Sequence, residues 1–169
     1  MKILILAGSP RKNGQSYKLV EAFKEGAAGN EIQVVDVGSM KINGCLACEY
    51  CHTKGNGKCI QNDDMQKILP LLAEAEGIVI ASPVYYWGLS GQLQSCLTRW
   101  YAPHKPAKAT KYAVLLASGS EGVYEPIEGQ LKDVIGYIGG KLVGIVKTSM
   151  EKNNINEACS AAKELGKKF

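Results

Sequence analysis

The sequence predicts a doubly wound α/β fold, a five-stranded parallel sheet with helices on both faces. Three observations lead there. Five short apolar runs, most of them rich in β-branched residues, alternate with longer segments whose apolar residues recur at helical spacing. The runs are near-continuously apolar, as expected of strands covered on both faces. Strands separated by helices pair in parallel through right-handed crossovers.

The first strand is expected over Lys2–Ala7 and closes at Gly8-Ser9-Pro10. A helix follows over Ser16–Ala27, with Leu19, Val20 and Phe23 on one face and Ser16 as the expected cap. Glu31–Val37 reads as the second strand through Ile32, Val34, Val35 and Val37. Asp64–Glu76 reads as a helix that Pro70 should kink or break, with Asp63 as its N-cap. Strand three is Gly77–Ser82, and a helix over Ser90–Tyr101 follows. Strand four is Lys111–Ala117, followed by a helix over Val123–Ile138. Strand five is Lys141–Thr148, and Asn156–Lys167 closes the chain as a helix. No repeat, low-complexity tract or linker divides the 169 residues, so one domain is expected over 1–169, with a cysteine-rich insertion at about 43–62.

Composition narrows the function. With 46% hydrophobic and 21% charged residues, the chain has the material for a core and is not a disordered segment. The net charge of +4 comes from scattered lysines, and the only arginines are Arg11 and Arg99. Nucleic-acid binding normally shows a basic stripe with aromatics, and none is present. No run reaches the length of a membrane span, and the first apolar run is too short for a signal-peptide core. A cytoplasmic protein with reduced cysteines is expected, so the six cysteines read as buried, metal-binding or redox-active.

An open α/β sheet binds its ligand beyond the carboxyl ends of its strands. The loop after strand one, Gly8-Ser9-Pro10-Arg11-Lys12-Asn13-Gly14-Gln15-Ser16, leads into a helix N-terminus. Free N–H groups, two hydroxyls and an arginine fork there suit a phosphate. Neither a Gly-Lys-Ser/Thr ending nor a Gly-x-Gly-x-x-Gly is present, so an ATPase P-loop and a Rossmann dinucleotide site are both disfavoured. A plain polar loop with a capping serine accounts for the same residues. After strand three, Ser82-Pro83-Val84-Tyr85-Tyr86-Trp87-Gly88 sets three aromatics where ligands bind; they suit a stacked planar ring, or the packing of a crevice or subunit interface.

These two loops resemble those of the NAD(P)H-dependent FMN reductases. The likeness spans residue 1 to about 150. It implies a flavodoxin-like three-layer sandwich with strand order 2-1-3-4-5. It also implies that Ser9, Arg11, Gln15 and Ser16 take the FMN phosphate, and that Pro83, Val84, Tyr85, Tyr86 and Trp87 take the flavin ring. Ser118, Gly119 and Ser120, in the loop after strand four, would line the ring's other edge, where glycines and hydroxyls suit close approach.

Cys45, Cys48, Cys51 and Cys59 follow strand two, separated by two, two and seven residues. Three cysteines at such intervals converge on one centre, as in iron–sulfur sites, whereas zinc more often takes two separated pairs. Zinc and free or reversibly oxidised thiols stay open as readings. His52 reads as a solvated loop residue, and Cys96 and Cys159 as helix cysteines. The segment is similar to the compact motif of the iron–sulfur flavoproteins, which join this fold to a [4Fe–4S] cluster.

The resemblance implies an FMN-dependent oxidoreductase that takes hydride from NAD(P)H and reduces a quinone, a flavin or another small-molecule acceptor. The cofactor carries that chemistry, so no side chain is assigned as catalytic. The alternative is electron transfer between ferredoxin and FMN through a cluster on the four cysteines. A flavin-free binding module is a third reading. A homodimer or homotetramer, with neither nucleic acid nor membrane as partner, is also expected.

Overall fold

The computed structural model describes residues 1–169. Five strands form one parallel sheet in the order β2-β1-β3-β4-β5. They are β1 (Lys2–Ala7), β2 (Glu31–Val35), β3 (Gly77–Pro83), β4 (Lys111–Ser118) and β5 (Lys141–Ser149). The helices are α1 (Gln15–Gly26), α2 (Met65–Glu74), α3 (Gly91–Thr98), α4 (Glu125–Tyr137) and α5 (Ile155–Gly166). This is the expected flavodoxin-like architecture. No helix is long and apolar enough to cross a membrane.

Alternation along the strands divides the core in two. Ile3, Ile5, Val79, Ala81 and Leu115 face α1 and α5, and meet Leu19, Val20, Phe23, Ala162 and Leu165. Leu4, Leu6, Ile78, Ile80 and Val114 face the other way, against Met65, Ile68, Leu93, Ile127 and Leu131 of α2, α3 and α4. Both faces of the inner strands β1, β3 and β4 are therefore dry, which is why these read as continuous apolar runs, while the edge strands β2 and β5 are partly exposed.

Several boundaries differ from expectation. The helix α1 starts at Gln15, with Gly14 at the cap position, so Ser16 lies inside the helix and does not cap it. Strand β2 stops at Val35, and Val37 enters a short 3-10 turn over Val37–Ser39. Pro70 does not divide α2, because it and Gln66, whose carbonyl loses its partner, both lie on the exposed face. Arg99–Tyr101 leaves α3 as a 3-10 turn.

The turn after β2 props the loop after β1. A Cβ on Gly38 would lie 2.3 Å from the carbonyl oxygen of Ser9 and 2.8 Å from the nitrogen of Pro10. Backbone cannot yield there as a flexible side chain can, so only glycine allows this approach. Gly38→Ala is expected to lower stability by about 1–3 kcal/mol, the usual range for overpacking. Urea unfolding of the two proteins measures it, with an unchanged midpoint as the contrary result.

A candidate flavin cavity and a four-cysteine loop

The loops after β1, β3 and β4 meet in a cavity of about 530 Å³ at the carboxyl edge of the sheet. Ser9, Arg11, Gln15 and Ser16 line it from the first loop, Pro83, Val84 and Tyr85 from the second, and Ser118 and Gly119 from the third. The second and third loops are pinned to each other by the Val84 N–H on the Ala117 carbonyl at 2.8 Å. At the floor, α1 begins with no side-chain cap and no acid in its first turn. The N–H groups of Tyr17 and Lys18 turn back to Gly14, which leaves those of Gln15 and Ser16 with no backbone partner. An uncapped helix start of this kind favours an anion.

Side chains at the cavity divide into shapers and free groups. The Ser9 hydroxyl donates to the Arg11 carbonyl at 3.1 Å and accepts the Arg11 N–H at 3.2 Å, so it holds the loop's own backbone. Ser118 is similarly committed: its hydroxyl and that of Tyr124, 2.5 Å apart, share the carbonyls of Ser120 and Thr148. The Arg11 side chain is exposed and forms no ion pair. Nearby, Tyr17 donates to Asp36 at 2.6 Å and Lys12 reaches the same carboxylate at 3.1 Å. Burial and that bond to Asp36 push the Tyr17 phenol well above its ordinary pKa.

Three expected residues lie outside the cavity lining. Ser120 is an exposed loop residue. Tyr86 and Trp87 form the tip of a two-residue hairpin closed by paired hydrogen bonds between Tyr85 and Gly88 at 2.9 and 3.0 Å. Both have positive φ, 47° and 59°, as a type I′ turn requires, and they are 97% and 53% exposed. The turn therefore aims them outward, and only Tyr85 of the three aromatics reaches the cavity.

The cysteine loop is closed by a buried ion pair. Arg99 donates to Asp63 at 2.7 and 3.2 Å and to the Asn43 carbonyl at 3.0 Å, while Asp63 accepts the N–H groups of Asn43 and Met65. The two side chains are 1% and 8% exposed. The N-cap position of α2 is Asp64 and not the expected Asp63, which stands one residue earlier, accepts the Met65 N–H and ties the two ends of the loop together. Burial alone would raise its pKa; the Arg99 bond, the Asn43 N–H and the Arg99 charge outweigh it and hold the carboxyl below its usual range.

All four cysteines of the loop line one cavity of about 20 Å³, room for about one water molecule. Cys45 and Cys48 are exposed and Cys51 is buried, its thiol pushed up by that burial. The Ala47 N–H, set by a positive φ, donates to the Cys45 sulfur at 3.4 Å. No three histidine, cysteine or acidic side chains are grouped closely enough to hold one metal ion. His52 is not a solvated residue: its ring stacks on His104 at 3.9 Å and bonds the Tyr101 carbonyl at 2.8 Å. Cys96 is buried on α3, where desolvation pushes its thiol up to about 12.

The family described as NADPH-dependent FMN reductase matches residues 1–162. The chain belongs to that family. An iron–sulfur flavoprotein of Archaeoglobus fulgidus is 36% identical over 141 residues, which are 82% of this chain and 60% of that protein. The reductase-family chain spans about half to three-fifths of the length of the first curated relatives it matches. Among solved structures, an NAD(P)H:quinone oxidoreductase from Methanothermobacter marburgensis has a TM-score of 0.76 at 20% identity, covering 99% of this chain and 94% of that one. An FMN-dependent NADH-azoreductase from Bacillus anthracis, in complex with FMN, has a TM-score of 0.77 at 15% identity and covers 99% of both chains. At such identities the two structures speak for the fold.

Sequence reasoning did not single out Asn13, Lys18, Ala117 and Met150, which also line the 530 Å³ cavity. Lys18 lies one turn into α1, a position that helical spacing could have flagged. Met150 arrives from β5 through its N–H on the Ser118 carbonyl at 3.0 Å, a contact without a local signal.

The ion pair predicts a pH signature. A carboxyl with a lowered folded pKa stabilises the protein above its unfolded value, about 3.9, and that contribution is lost as pH falls through the folded value. Asp63→Asn strands the buried Arg99 charge and is expected to cost about 3–5 kcal/mol at neutral pH. The gap from wild type should stay flat above about pH 5 and narrow on acidification below about pH 4. Denaturant unfolding across pH measures this; a gap independent of pH down to 2 contradicts it.

Proposed function

We propose that the chain binds FMN in the 530 Å³ cavity and works as an oxidoreductase, taking hydride from NAD(P)H and reducing a quinone, a flavin or another small acceptor. The observation that carries this reading is the meeting of three separate loops over an uncapped helix start, in a family defined by FMN. Bound FMN supplies the hydride and electron chemistry. The chain's part is to bind and orient. The Gln15 and Ser16 N–H groups and the Ser16 hydroxyl meet the phosphate, and Arg11 adds its charge from the rim. Ser9 keeps the loop in the shape that presents them. Pro83, Val84 and Tyr85 form one wall for the ring, and Ser118 and Gly119 the other. The cavity is open to solvent on one side, which suits a nicotinamide or an acceptor arriving at the ring face.

Arg11→Ala should weaken FMN binding about 10- to 100-fold, the loss of a charge-assisted contact of about 1.5–3 kcal/mol. Riboflavin, without a phosphate, should bind both proteins alike. Fluorescence titration with both ligands checks this, and equal losses for the two would refute a phosphate role.

A second reading is favoured by the four thiols lining one cavity: a [4Fe–4S] cluster on Cys45, Cys48, Cys51 and Cys59, with ferredoxin as the electron donor to FMN. The donor set fits, being four thiols with an N–H already on one sulfur. A single zinc fits less well, since it needs four donors about 2.3 Å from one point and no three groups are so placed. Protein purified without oxygen should then carry about four irons per chain beside its flavin bands. Flavin bands with negligible iron would leave the NAD(P)H reductase alone.

A further inference from the structure

Arg99 is the largest fully buried side chain of the protein, and it lines the four-cysteine cavity. Its two terminal nitrogens are committed to Asp63 and Asn43. Its third nitrogen, Nε, is buried with no hydrogen-bond partner. A buried N–H left unpaired is destabilising, so such a group calls for an acceptor. The cavity it borders offers sulfur. Cys45 already has the Ala47 N–H, whereas the sulfurs of Cys48, Cys51 and Cys59 accept no hydrogen bond.

We propose that Arg99 is a positioning residue for anionic sulfur in this cavity, its Nε–H reserved for a cysteine thiolate of the loop or for an inorganic sulfide held among the four thiols. This rests on the cluster reading above and adds to it a donor that no cysteine motif contains. The same residue closes the loop and sets the hydrogen bonding of its sulfur. Hydrogen bonds to cluster sulfurs raise the reduction potential, so Arg99 would tune whatever the thiols hold.

The chain has only two arginines, Arg11 and Arg99, so FMN-saturated protein labelled with 15N-arginine gives two Nε–H signals. Cadmium ion alone, a diamagnetic thiolate-seeking probe, is added and its uptake followed by thiolate absorbance. The Arg99 signal is expected to move downfield and exchange more slowly with water, while that of Arg11 stays in place. Cadmium uptake with an unmoved Arg99 signal overturns the proposal and leaves the cluster reading standing. No uptake of cadmium, and no iron after anaerobic reconstitution, removes the cluster reading and the proposal with it. Arg99→Lys keeps a cation for Asp63 without an N–H at the Nε position. Reconstituted to the wild-type iron content, it is expected to show a more negative midpoint potential; an unchanged potential overturns the proposal.

Discussion

The buried pair between Arg99 and Asp63 is the joint on which the functional half of the molecule turns. Asp63 stands at the entrance to α2, Arg99 at the exit of α3, and Asn43 at the start of the cysteine loop. One guanidinium therefore fixes three segments that the sheet alone would leave independent. Removing both charges from water is expensive, and only dense hydrogen bonding offsets that cost. Here the carboxylate accepts two backbone N–H groups besides the arginine. The pair is less a source of net stability than a specification of where a long loop begins and ends.

That joint also explains how the two candidate sites relate. The helix α3 runs from one to the other. At its first end Ser90 caps the helix on the Leu93 N–H, and its own N–H meets the Ser82 hydroxyl at the end of β3, beside the cavity wall. At its second end Thr98 accepts the Cys45 N–H and Arg99 grips the cysteine loop. Eight helical residues span about 12 Å. The two sites thus sit one short helix apart, on a single rigid element packed through Leu93 and Cys96 into the core.

Much of this was legible beforehand, for physical reasons. The inner strands β1, β3 and β4, buried on both faces, carry a continuous apolar signature; the partly exposed edge strands β2 and β5 were readable through their β-branched residues, and separation by helices made all five parallel. The loop after β1 was readable as part of the ligand cavity because residue types and position agreed. The four cysteines were readable as one group because their spacing is short. What escaped depends on partners distant in sequence. Nothing near Arg99 announces Asp63, 36 residues away. His52 lies in a polar loop and gave no sign of His104, whose ring stacks on it. The placement of Tyr86 and Trp87 outside the cavity was not legible because the hairpin that turns them outward uses a backbone conformation more usual for Asn-Gly.

The hairpin tip carries a consequence for how this chain balances folding against use. Consecutive left-handed residues with large side chains cost of order 1–3 kcal/mol each. The two at this tip are also among the most exposed aromatics of the protein, so neither recovers that cost through burial in the chain itself. An Asn-Gly tip would fold more readily and dissolve better. A sequence redesigned purely for thermal robustness would therefore replace this position first.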